Sequence, residues 1–185
     1  MFIGPSGAGK STVVRALHRR RVIEVTPSWT TRPRRADEID GTIEHRFISE
    51  AEFTSLERAG YFLEVVRPFG LPFRYGLPGV EPSVVGAVPA IMVRAPLVPL
   101  VVRHFPRHVI YQIEASHDRA KERLVRARDA DAALGSRLEG FEEERRLGRA
   151  IASRCFVNDA TVAELLEAVA GAITLDFPEE RSDGR

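Results

Sequence analysis

Gly4 to Ser11 read GPSGAGKS, a glycine-rich run closed by a lysine and a hydroxyl. Glycines at these places let the backbone wrap closely, so that successive N–H groups and the positive end of a following helix face an anion. The spacing GxxxxGKS between an apolar start and a helical segment is the context in which this run cradles a nucleoside triphosphate. It predicts that Gly4, Pro5, Ser6, Gly7, Ala8, Gly9, Lys10, Ser11 and Thr12 hold the phosphates of ATP. Lys10 would reach the β and γ phosphates and Ser11 would hold Mg²⁺ as cofactor. A glycine turn that merely capped a helix would not require Lys and then Ser at its end.

A second anion site is suggested by SWTTRPRRADEIDG, where Arg32 and Arg35 sit in a loop of turn formers. Guanidinium groups bind phosphate bidentately, although a charged loop can also be simple solvated surface. Arginine is frequent again from Arg119 to Arg149, where the small-residue stretch DADAALGS interrupts two helical segments. Such a hairpin could close over a nucleotide and exclude water, or could be amphipathic helices with a basic solvated face. Phosphoryl transfer asks for positioning and positive charge, and no side-chain nucleophile is needed.

The elements that must position these groups follow from hydrophobic period. Short apolar runs alternate with helical segments, the pattern of an α/β protein with a largely parallel sheet. Strands are expected at Phe2–Ile3, Val22–Val25, Ala90–Val93, Val109–Ile113 and Cys155–Val157. Helices are expected over Lys10–Arg20, Asp118–Arg128, Leu134–Arg154 and Thr161–Leu175, the last started by a capping box of Thr161 and Glu164. Residues 26–78 change texture and read as a small antiparallel β insertion with one helix, begun by Ser49 and Glu52. The apolar start Met1–Ile3 falls short of the roughly 5 residues usual for a strand, so the strand is short or its start lies upstream.

With 185 residues the chain suits one domain, 1–185, holding the insertion and a lid region at 126–148. The 27 basic and 26 acidic residues give no global sign of a nucleic-acid or membrane-surface partner. No run approaches the roughly 20 apolar residues that span a bilayer, and no signal peptide is visible. The lone Cys155, in the apolar run CFV, is expected in the core, and a reduced cytoplasmic location fits.

Taken in order, GPSGAGKST, SWTTRPRRADEIDG with HRF, EF and YFLE, RYG, the arginine-rich segment and FVND resemble the guanylate kinase family from Gly4 to Asp159. The resemblance implies a P-loop NTPase fold: three layers around a parallel central sheet, with a β-rich acceptor-binding insertion and a helical lid. It implies ATP-dependent phosphorylation of GMP, with catalytic roles for Lys10, Arg126 and Arg137. Arg32, Arg35, Glu38, His45, Tyr75 and Arg94 would line the acceptor site, and Glu64 would accept hydrogen bonds from guanine. Asn158 would lie on the adenine side. The expected partners are therefore ATP and a nucleoside monophosphate or sugar phosphate, and oligomeric state is not legible.

Two positions depart from the family. Arg94 follows a strand that normally carries aspartates, and Leu77 replaces a Ser or Thr that helps to read guanine. Both, together with GLPFRYGLP, resemble the related ribose 1,5-bisphosphate phosphokinases, which form the alternative. A catalytically silent guanylate-kinase-like binding module is a third reading.

Overall fold

The computed structural model describes residues 1–34, 38, 42–67, 72–80, 86–126, 140–159 and 161–178. Strand β1 (Phe2–Ile3) pairs in parallel with β8 (Tyr111–Glu114), which pairs in parallel with β9 (Arg154–Val157). On its other side, β2 (Ile23–Val25) pairs in parallel with β7 (Val88–Ala90). The chain beyond β7 joins the two halves, because Phe2 N–H donates to Ile91 O (2.9 Å) and Val93 N–H donates to Phe2 O (3.1 Å). The core is thus one parallel sheet in the order β2-β7-β1-β8-β9.

Alternation along these strands explains the three layers. Phe2, Tyr111 and Ile113 point to one face, where they meet α1 (Lys10–Arg19) through Val13, Val14 and Leu17. The same face takes α6 (Val162–Asp176) through Leu165, Leu166, Val169 and Ile173. Ile3 and Ile110 point the other way, onto Val98 of α3 (Val98–Val102) and Leu147 of α5 (Phe141–Ile151). Helix α4 (His117–Arg126) follows β8. No described helix is long and apolar enough to cross a membrane.

Several sequence expectations shift. The strand expected at Ala90–Val93 is paired earlier, and the helix expected to reach Arg154 stops at Ile151 so that Arg154 opens β9. Helix α3 lies in APLVPLVV, whose two prolines sit at the starts of a 3₁₀ turn and of α3, where a missing N–H costs nothing. Cys155 is exposed rather than in the core, because β9 is an edge strand.

The insertion forms its own sheet from β3 (Ser28–Thr30), β4 (His45–Phe47), β5 (Phe62–Val66) and β6 (Tyr75–Pro78), in the order β4-β3-β6-β5. The β3–β6 and β5–β6 pairs are antiparallel as expected, whereas β3–β4 is parallel. The segment between Thr30 and His45 is long enough for the crossover a parallel pair needs. Helix α2 (Glu50–Arg58) is capped by Ser49, whose hydroxyl accepts from Glu52 N–H at 3.1 Å. Phe53 of α2 stacks on Phe62 at 4.7 Å. Arg74 fastens the same helix, reaching Glu50 (2.6 Å), Glu57 (2.7 Å) and Thr54 (2.7 Å). Arg15 of α1 binds Glu44 at 2.6 Å and so ties the insertion to the core.

Candidate active site

The glycine-rich loop joins β1 to α1. Gly4 and Gly9 adopt φ of 132° and 95°, and a Cβ would lie 2.0 Å from Ile113 O at Gly4 and 2.2 Å from Asn158 Nδ2 at Gly9. Both positions therefore require glycine for backbone sign and for space. Helix α1 starts at Gly9 with no side-chain cap and no acidic residue in its first turn. Its leading N–H groups and positive end are left to meet an anion.

Lys10 Nζ donates to the carbonyls of Gly4 and Pro5, the latter at 3.1 Å. Burial lowers its pKa to about 8; nearby Glu144 pulls it up and Arg94 pushes it down. Arg94 and Glu144 form an ion pair, with Arg94 Nε donating to Glu144 Oε1 at 3.1 Å. Arg94, expected to line the acceptor site, thus sits beside the loop lysine and is held by the buried carboxylate of α5.

Two further groups support the loop. Asn158 is buried and its Nδ2 donates to Ala8 O at 2.8 Å, while its Oδ1 has no partner among the described residues. Asn158 does not start the last helix, since Thr161 caps α6 in a complete capping box with Glu164. Arg123 of α4 donates to Ala8 O (3.3 Å) and Asn158 O (3.0 Å). The sequence did not distinguish Arg123 from its neighbouring arginines; its place three residues before Arg126, on the face of α4 turned to the loop, was the available signal. Arg126 is exposed at the end of α4.

Four of the expected acceptor residues, Arg32, Glu38, His45 and Tyr75, come together on the insertion. Arg32 is 8% exposed, and its guanidinium donates to Tyr75 Oη (3.1 Å) and to both oxygens of Glu38 (2.8 and 2.6 Å). His45 packs edge-on to Tyr75 at 5.9 Å and lies 2.8 Å from Ser28 Oγ. The cross-strand register explains the grouping, because Thr30 faces Tyr75 and Ser28 faces His45. Glu64 stands apart on β5, where Arg103 and His104 bind it. Arg35 and Arg137 lie outside the described residues, as does most of the stretch 126–148 expected to form a lid. A cavity of about 240 Å³ lined by Met1, Val80, Ile91 and Phe177 is at the opposite end of β1 from the loop and contains none of these groups.

A parallel core with a glycine-rich loop and lysine at its first strand-to-helix turn is the architecture of the P-loop nucleoside-triphosphatase class. The guanylate kinase family profile matches residues 1–73. A guanylate kinase of Gloeobacter violaceus is 32% identical over 188 residues, spanning 98% of this chain and 89% of the relative. Guanylate kinases of Thermobifida fusca (47% over 76 residues) and Nitrosococcus oceani (45% over 73) match 40% and 39% of this chain. Those two matches span only 37% and 34% of the relatives' own length. The crystal structure of guanylate kinase from Anaplasma phagocytophilum shares the fold, with a TM-score of 0.71 over 97% of this chain and 87% of that one at 22% identity. The chain belongs to the guanylate kinase family.

Proposed function

We propose that the protein transfers the γ-phosphoryl group of ATP to GMP, giving ADP and GDP. The observation that carries this is the buried Arg32, held by Glu38 and Tyr75 on the insertion, in a family member whose phosphate loop keeps Lys10 and an uncapped helix start. Arg32, Tyr75 and His45 would take the acceptor's phosphate, with Arg35 joining them. Glu64 would accept from the guanine edge. Asn158, which holds Ala8 O of the loop, would border the adenine.

The residues present fit Mg²⁺ carried by phosphate. Ser11 is half-buried in the first turn of α1, and among the described residues no trio of His, Cys, Asp or Glu is arranged to hold a metal. Mg²⁺ commonly keeps waters and phosphate oxygens with few protein ligands. Bound there, it would neutralise charge between the β and γ phosphates. Lys10 would leave the carbonyls of Gly4 and Pro5 for the same oxygens, and Arg126 and Arg137 would close over the transferring group and exclude water. The reading also fits a location in the cytoplasm, where both nucleotides are made and used.

ADP release measured with ATP, Mg²⁺ and GMP tests the reading. Turnover with GMP, abolished in Lys10→Ala, is the expected result. ATP binding without ADP release for GMP would move the chain to the silent-module reading, and release with ribose 1,5-bisphosphate alone would move it to the sugar phosphokinases.

A further inference from the structure

Glu64 and Leu77 are paired across the antiparallel strands β5 and β6 and so share a face of the insertion sheet. Leu77 is buried against Val101 of α3 and Ile91, so position 77 offers no hydroxyl to read a base. The two residues that follow α3, Arg103 and His104, then reach Glu64. Arg103 Nε donates to Oε1 at 2.7 Å, Arg103 Nη2 donates to the same atom, and His104 Nε2 lies 2.7 Å from it. All three contacts fall on Oε1, and Oε2 makes no hydrogen bond to a described residue. Burial pushes the Glu64 carboxyl up, but the bonds from His104 and Arg103 prevail and hold its pKa below the ordinary value, so the carboxylate stays ionised.

The Watson–Crick edge of guanine offers two adjacent donors, N1–H and the 2-amino group, and a carboxylate takes both by giving one oxygen to each. With Oε1 filled, one oxygen remains. Hypoxanthine keeps N1–H and lacks the amine. We propose that Arg103 and His104 restrict Glu64 to a single purine N–H, so that the acceptor site takes 6-oxopurine nucleotides as a class, IMP together with GMP. This rests on the reading of Glu64 as the residue that meets the base.

Discrimination arises when a missing substrate donor leaves a protein group unpaired. Here Oε1 is already satisfied, so IMP leaves nothing unpaired. Arg103 is 59% exposed, so its removal should leave the fold intact.

The test compares kcat/KM for GMP, IMP and AMP in the wild type, Arg103→Ala, the double variant Arg103→Ala/His104→Ala, and Glu64→Gln. The expected wild-type preference for GMP over IMP is less than about tenfold, with AMP well below both. Freeing Oε1 in the double variant should raise the GMP:IMP ratio by about tenfold or more, whereas Arg103→Ala alone, which leaves His104 on Oε1, should move it less. A wild type that rejects IMP by more than about a hundredfold, or a ratio unmoved in the double variant, overturns the proposal while leaving the GMP reading in place. If Glu64→Gln leaves the preference for GMP over AMP unchanged, or if neither GMP nor IMP is phosphorylated, the underlying reading falls and this inference with it.

Discussion

At the residue scale the loop lysine decides most. Its pKa of about 8 reflects loss of solvation on burial, whereas in the unfolded chain it would titrate near 10.5. Two consequences have opposite sign. On the proposed function ATP meets the charged lysine, so its affinity should fall as pH rises through about 8, and a pH series of dissociation constants should show this in the wild type and not in Lys10→Ala. The unliganded fold, by contrast, should gain stability between about 8 and 10.5, because the unfolded chain still holds a proton that the folded one has released. Glu144→Gln removes the charge that draws the Lys10 pKa upward, so the affinity midpoint should move to lower pH. Lys10→Ala should cut kcat by at least about a hundredfold, the scale of losing one charge-stabilising donor. That lysine was legible from spacing alone; the Arg94–Glu144 pair beside it was not, since the two are joined only by packing α5 on the sheet.

Elements were legible where local chemistry marks them. Ser49 and Thr161 announce α2 and α6, and replacing Thr161 by Ala should cost about 1 kcal/mol in thermal or denaturant unfolding. Arg74→Met should cost more, about 1–3 kcal/mol, because its guanidinium joins Glu50, Glu57 and Thr54 and covers Phe53 at 4.4 Å. Helix α3 was hidden by its prolines, and the end of α5 by an apolar period that runs on into β9. The parallel β3–β4 pair could not be read either, because strand direction depends on what the intervening chain does. The exposure of Cys155 likewise follows from strand order, which no single run of sequence contains.

For the whole molecule, the parallel sheet places the loop at the carboxyl end of β1, the end where ligands bind in open α/β sheets. The insertion is a separate layer of structure joined to this core by contacts such as Arg15–Glu44 and Leu77 on Val101. The order of blocks from Gly4 to Asp159 made the family legible, and the structure brings Arg32, Glu38, His45 and Tyr75 together. The partners of Glu64 could not be read, since Arg103 and His104 follow a helix that the sequence had not revealed.

The most direct test of the account is product identity. Incubation with ATP, Mg²⁺ and GMP followed by ³¹P NMR or anion-exchange separation should give GDP and ADP in equal amounts. ATP loss without GDP, or no consumption of GMP by a protein that binds ATP, would contradict it.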